Sequence, residues 1–308
     1  MKSKLLGVKV GIMRAASLHQ MGIAVSIDLH THTTASDGSL SPEQLLFRAQ
    51  GAGITVLSIT DHDTLAGMLE AQALAGKSDA LPTVVSGIEL SAQWGKAGIH
   101  IVGLHFDPAE AQLLAFVEQQ KTLRCERNKA IIVRLCKLGF EEAMEQLPSS
   151  DDALAQLGRP QIAAALVNMD VVPNVQKAFK RYLAAGKPAA VASSWPAMRN
   201  VVSVINAAGG DAVLAHPLHY KLTGTRLRAL VSDFKQAGGS ALEVVTGGQN
   251  ATQVKQLASL AEKFELKASQ GSDFHSEQAP WQALGTLMDM PSNCVPIWQQ
   301  WNSCQGGD

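Results

Sequence analysis

The chain has 308 residues, 46% of them hydrophobic and only 5% aromatic, with a formal net charge of −1. That length suits one barrel-sized domain, or a domain with an insertion, built on a core of Ala, Leu, Val and Ile. A charge so near zero excludes a global field that would draw the protein onto nucleic acid or an anionic membrane, so any phosphate recognition falls to local arginines.

No apolar run approaches the ~20 residues of a membrane-spanning helix. Cys125, Cys136, Cys294 and Cys304 form no close pair at zinc-site spacing and read as reduced structural thiols of a cytoplasmic protein. Lys2 and Lys4 before Leu5–Val8 sketch a signal peptide, but Lys9 and Arg14 break its apolar stretch. Residues 1–20 are therefore expected to be a loosely ordered extension.

From there strands and helices alternate. Strands are expected at Ser26–Leu29, Thr55–Thr60, Thr83–Val85 and Ile99–Phe106. Ser41-Pro42-Glu43 opens a first helix with a cap and a proline at its first position, and Leu65–Leu74 a second. After Asp107-Pro108 the texture becomes helical, over 110–138, 151–157, 160–169 and 174–185. Strands resume at Ala212–Ala215, Ala241–Val245 and Lys267–Ser269, between helices at 197–208, 225–237 and 251–264. The pattern predicts a parallel α/β barrel of 21–106 and 191–308, interrupted by a helical insertion of 107–190.

Nine residues able to ligate metal lie at or beside the ends of apolar runs: His30, His32, Asp37, His62, Glu89, His100, His216, Asp273 and His275. Alternate residues of an extended segment face the same way, so His30 and His32 can reach one ion, as can Asp273 and His275. Ligands at the ends of many barrel strands converge on one mouth. A single His-x-His is weak evidence, and a lone His100 is more often a satisfied core residue. Asp61 and Asp63 serve equally as helix caps or as groups orienting a ligand histidine from behind. Taken jointly, nine convergent N and O ligands suit a cluster of two or three divalent ions. Their residue types fit Mn²⁺, Zn²⁺ or Fe²⁺ comparably. Such a cluster suits phosphate-ester hydrolysis by a bridging water, with Asp37, His62 and His275 beside it.

Asp28–His32, Thr60–Asp63, Gly87–Ser91 with His100–Gly103, Ala215–Pro217 and Gly271–His275 resemble, in order, the successive motifs of the PHP (polymerase and histidinol phosphatase) phosphoesterases. The likeness runs from residue 22 to about 300 and is greatest to the group of 3′,5′-nucleoside bisphosphate phosphatases and 5′-to-3′ exoribonucleases. The resemblance implies a distorted (β/α)7 barrel with a helical insertion, and three divalent ions, commonly manganese, held by the nine residues above. It also implies that Arg124, Arg127 and Arg159 meet substrate phosphate. Without it, Arg124, Arg127 and neighbouring Lys129 would read as a solvated basic face. The implied substrate is a small phosphorylated nucleotide or a short 5′-phosphorylated RNA, with no membrane or obligate protein partner.

Two departures bear on substrate. Leu218-His219-Tyr220 stands where the group usually has Gly-Arg-Tyr, leaving His219 as a weaker phosphate donor than the bidentate arginine. Ala189-Ala190 stand where a Gly-Tyr is usual. Alternatives are a phosphatase of the histidinol-phosphate type, a binuclear amidohydrolase, against which no mid-barrel lysine stands out, and a non-catalytic metal-binding domain.

Overall fold

The computed structural model describes residues 26–192 and 194–302; the expected extension 1–20, His19 and Cys304 lie outside them. Chain contacts divide it into two compact units, the first running to Leu114 and resuming at Pro196, the second Ala115–Trp195. The sequence places the corresponding limits at 107 and 190.

The first unit is built on eight strands: β1 (Ile27–Thr31), β2 (Val56–Ile59), β3 (Thr83–Val85), β4 (Gly87–Trp94), β5 (Ala97–Leu104), β6 (Asp211–Leu214), β7 (Ala241–Thr246) and β8 (Lys267–Gly271). They form one sheet in the order β1-β2-β3 and another in the order β4-β5-β6-β7-β8. Two parallel bridges join the sheets into a barrel, Thr31 with Phe274 and His62 with Glu89. Only Ser86 separates β3 from β4, so the two occupy one barrel position and seven positions result. This is the distorted (β/α)7 barrel.

The distortion is β5, which runs antiparallel to both β4 and β6, where the sequence reading had a wholly parallel barrel. The cause is the connection. Trp94 pairs with Ala97 across two residues, far too few for a parallel crossover. Gly95 takes φ +58°, at the position where a two-residue type II′ turn needs glycine. The unexpected strand β4 is the first arm of that hairpin.

Helices flank the strands: α1 (Pro42–Gly51), α2 (Ala66–Ala75), α8 (Met198–Ala207), α9 (Gly224–Gln236) and α10 (Ala251–Lys263). Ser41 caps α1 as expected, its Oγ accepting from Gln44 N while Gln44 Oε1 accepts from Ser41 N. One stripe of α9, Leu227, Leu230, Val231 and Phe234, is buried, each side chain contributing roughly 1.5–3 kcal/mol of apolar burial. Ile27, Leu29, Val56, Val85, Val102, Leu104, Val213, Ala215 and Ala241 pack together with Ile297 and Trp301. Trp301 Nε1 donates to Asp211 Oδ2 at 2.7 Å, tying the last helical turn to the start of β6.

The second unit holds most of α3 (Ala111–Cys136), then α4 (Glu141–Glu145), α5 (Asp151–Gln156), α6 (Arg159–Asn168) and α7 (Val175–Ala178), which runs into a π-helical turn at Phe179–Leu183. Its core joins Ile131 and Leu135 to Met144, Ile162, Leu166 and Leu183. Asn128 donates to the carbonyls of Leu154 and Leu157, satisfying the C-terminal end of α5.

Candidate metal centre

The nine residues expected as ligands come together in the first unit. β1 delivers His30 and His32, and the register against β2 slips between Asp28 and Thr31. That extra residue is a bulge, which re-aims side chains. Asp37 returns from the following loop. The bridge that closes the barrel on one side sets His62 beside Glu89. His100 sits early in β5, and the antiparallel run of that strand brings its N-terminal half to the mouth, not its carboxyl end. On the other closing side, Gly271 passes so near β1 that a Cβ there would lie 2.2 Å from His30 Cβ.

Glu89 is the hub. Its carboxylate lies 2.9 Å from His62 Nδ1, His100 Nδ1 and His216 Nε2, and 3.4 Å from Nε2 of both His30 and His32. Asp273 Oδ1 lies 3.4 Å from His32 Nε2 and 3.5 Å from His30 Nε2 and His275 Nδ1. Asp37 reaches His275 Nε2 at 3.3 Å, and His32 and His62 at 3.7 Å. Asp63, His216 and Asp273 all adopt positive φ (54°, 27° and 56°), so backbone strain gathers here.

The side chains fit divalent cations. Four overlapping groups place their ligand atoms within 4.8 Å of one another: His32, Asp37, His62, His275; His30, Glu89, His216; His30, His32, Asp273; and His62, Glu89, His100. His30 Nε2, both nitrogens of His32, Nδ1 of His62, His100 and His216, and Glu89 Oε2 are buried without a well-directed hydrogen bond. Leaving each such atom unsatisfied costs roughly 1–3 kcal/mol, which coordination to cations would offset.

Mutual charge shapes protonation. Burial opposes charge on Glu89 and Asp37, yet the surrounding imidazoles outweigh it and hold both carboxyls well below the usual range. Burial and then the charge of His275 push His32 down to about 3. Burial also acts to lower His275, but the Asp37 hydrogen bond and the charge of Asp273 prevail and raise it to about 10.

Asp61 and Asp63 accept hydrogen bonds from loop and strand residues. Asp61 accepts from Thr33 N at 2.7 Å, Thr33 Oγ1 at 2.6 Å and Ser36 Oγ at 2.7 Å, bracing the loop that carries Asp37. Asp63 accepts from Ser91 N and Oγ, fastening β4. Behind the His30 ring stands Glu243 of β7, whose Oε1 lies 2.9 Å from His30 Nδ1. It was legible as the one charged residue inside the apolar run Ala241–Val245. Asp28 holds the two closing strands by accepting from Ser272 N, and burial pushes it up to about 6. Tyr220 also escaped the sequence reading; its hydroxyl accepts from His100 N and donates to Ala215 O, both at 2.9 Å.

His219 stacks on His216 with centroids 5.0 Å apart, and burial followed by the charge of His216 lowers its basicity. The three arginines belong to the second unit. Arg124 and Arg127 lie 5.5 and 5.3 Å from the Trp195 ring centre, and Arg127 donates to Asn128 Oδ1. Arg159, at the first turn of α6, lies over Phe179, its basicity lowered by burial and then by Arg124. Lys129 is paired instead with Asp151 at 2.6 Å.

A seven-position barrel whose mouth gathers nine histidines and carboxylates defines an α/β barrel protein with a candidate metal centre. The PHP domain model matches residues 28–205, and the chain belongs to that family. It is 41% identical over 273 residues to a 5′-3′ exoribonuclease of Haemophilus influenzae, covering 89% of this chain and 98% of the relative. To a 3′,5′-nucleoside bisphosphate phosphatase of Chromobacterium violaceum it is 35% identical over 275 residues, covering 89% and 96%. A solved structure from Chromobacterium violaceum, described as an amidohydrolase with bound sulfate, superposes with a TM-score of 0.81 at 34% identity, covering 91% and 96%. The chain is accordingly a hydrolase of phosphoric esters. Among the described residues no helix is long and apolar enough to cross a membrane.

Proposed function

We propose that this protein is a metal-dependent, cytoplasmic phosphoesterase that cleaves the 3′-phosphoester of ribonucleotides bearing a 5′-phosphate. Such a substrate is a nucleoside 3′,5′-bisphosphate, which loses its 3′-phosphate, or 5′-monophosphorylated RNA, trimmed one nucleotide at a time from its 5′ end. In both, the nucleoside 3′-oxygen is the leaving group; the two differ in whether the attacked phosphoryl group carries a further chain. The observation that carries the reading is the nine-ligand cluster with its buried, poorly bonded ring nitrogens. Identities of 35–41% to proteins named for these two activities support the substrate class.

Three divalent ions, with Mn²⁺ the expected metal, would be held by His30, His32, Asp37, His62, Glu89, His100, His216, Asp273 and His275. When bound they would supply Lewis acidity, activating water near neutral pH and neutralising charge on the phosphoryl oxygens. The protein residues supply fixed geometry. Glu89 faces five imidazoles with one carboxylate; Asp61 fastens the loop that carries Asp37, and Asp63 the strand that carries Glu89. Arg124, Arg127 and Arg159 are the proposed holders of the 5′-phosphate. Burial and then the charge of Arg124 lower the basicity of Arg159, and an anion bound beside it would offset both. His219 adds a neutral imidazole able to donate one hydrogen bond, where an arginine would present a charged fork.

Manganese-loaded protein offered adenosine 3′,5′-bisphosphate beside a 5′-phosphorylated RNA oligomer should hydrolyse at least one with far higher kcat/KM than p-nitrophenyl phosphate. Failure on both, with turnover of an amide or an unrelated phosphomonoester, would overturn the reading. Arg159→Ala should raise KM for 5′-phosphorylated substrates at least tenfold more than for p-nitrophenyl phosphate, by loss of a charged hydrogen bond worth about 1.5–3 kcal/mol. Equal effects on both would reject its role.

A further inference from the structure

Glu243 is 2% exposed, on a strand of apolar residues, and its two oxygens serve different partners. Oε1 lies 2.9 Å from His30 Nδ1, and Oε2 accepts the backbone N–H of His216 at 2.5 Å. Both partners belong to the proposed set of ligands. They lie at the ends of different strands, β1 and β6. The register of β7 against β8 slips just past Glu243, between it and Val245.

Each contact removes a freedom that a metal ligand cannot keep. A neutral imidazole carries its proton on either nitrogen. An acceptor fixed at Nδ1 keeps the proton there and leaves the Nε2 lone pair of His30 facing Glu89 Oε2 and Asp273 Oδ1, at 3.4 and 3.5 Å. His216 has φ 27° and ψ 57°, a left-handed conformation that an L residue keeps only when its surroundings impose it. The bond from its amide to Glu243 is one such constraint.

We infer that Glu243 is a positioning residue of the metal centre, one carboxylate that selects the ligating nitrogen of His30 and pins the strained backbone of His216. The inference rests on the proposed metal-ligand roles of those two histidines. Glutamine is the diagnostic replacement. It matches glutamate in size but offers one acceptor and one donor, whereas both partners are donors. Glu243→Gln therefore leaves either His30 or His216 facing a like donor, with little change in packing.

The test uses full-length wild type and E243Q, each loaded with Mn²⁺ and freed of excess metal. Bound metal per folded chain is measured by mass spectrometry, and affinity by competition with a chelator. E243Q should fold, judged by far-UV circular dichroism, yet bind manganese about 10–100-fold more weakly. Its kcat for p-nitrophenyl phosphate should fall with little change in KM. A folded E243Q with wild-type stoichiometry and affinity overturns the inference. Wild type that binds no divalent ion overturns instead the metal-centre reading beneath it. Should E243Q fail to fold, the wild-type protein decides, using ring ¹⁵N spectra of the zinc-loaded form. His30 should ligate through Nε2, with its Nδ1 proton present and slow to exchange. Ligation through Nδ1 overturns the inference.

Discussion

Protons and metal ions compete for the same nitrogens, so the histidines at this mouth tie metal affinity to pH. His275 is raised to about 10, and His30 and His216 are raised as well by the carboxylates around them, against the opposing effect of burial. In the metal-free protein the protonated His275 adds stability that is complete below its ordinary value of 6.5 and is lost as pH rises through about 10. An ion must displace that proton. Apparent affinity for Mn²⁺ should therefore climb between about pH 6.5 and 10, with protons released on binding at pH 7.5. Calorimetric titrations in two buffers of different ionisation enthalpy check this, and equal heats in both would reject it. His32→Ala and Asp273→Ala should each abolish hydrolysis and lower bound metal; a fully active variant would remove that residue from the centre. Asp61 accepts three hydrogen bonds, from Thr33 N, Thr33 Oγ1 and Ser36 Oγ. Asp61→Ala strands Thr33 and Ser36 and should destabilise the fold by roughly 3 kcal/mol, read from denaturant unfolding.

Among the elements, the seams matter most. The barrel closes through short bridges, and the ligands sit on them. β8 meets β1 at Gly271, where any side chain would strike His30. Gly271→Ala should therefore open that seam, lowering both thermal stability and metal content; unchanged metal content would show that the centre tolerates a displaced β1. What the sequence disclosed follows from locality. The placement of the helices and of the strands other than β4, the Ser41 cap and the meeting of nine ligand-type side chains come from short-range patterns. The antiparallel β5 was hidden because its cause is a two-residue turn, Gly95-Lys96, inside a run that reads as loop. The bulge at His30 is a matter of register against another strand, which alternation along one strand does not encode. The hydrogen bonds of Asp61 and Asp63 to Thr33, Ser36 and Ser91 join residues about thirty apart, which a local pattern does not encode.

Over the whole molecule, the first unit carries five buried carboxylates and six imidazoles in one place: Asp28, Asp37, Glu89, Glu243 and Asp273, with His30, His32, His62, His100, His216 and His275. Without cations the fold there must rely on ion pairs at 2.9–3.7 Å and leave several ring nitrogens unsatisfied. Among the described residues, the second unit, with its helical core around Ile131, Leu135, Ile162 and Leu166, contributes to none of the groups that could hold a cation. Metal should accordingly stabilise the first unit selectively. At free Mn²⁺ a thousandfold above its dissociation constant, one site contributes about 4 kcal/mol by mass action. For a unit of this size that corresponds to a rise in melting temperature on the order of 10 °C. Calorimetric scans with excess chelator and with saturating Mn²⁺ should differ by at least that amount, the difference widening from pH 6.5 to 9 as protons cease to compete. The helical signal of the second unit should then melt at a temperature that metal leaves unchanged, if the units unfold separately, or follow the first unit if they unfold as one. A melting temperature indifferent to chelator throughout would mean that the cluster is held by its own hydrogen bonds and ion pairs, and the metal centre would have to be abandoned.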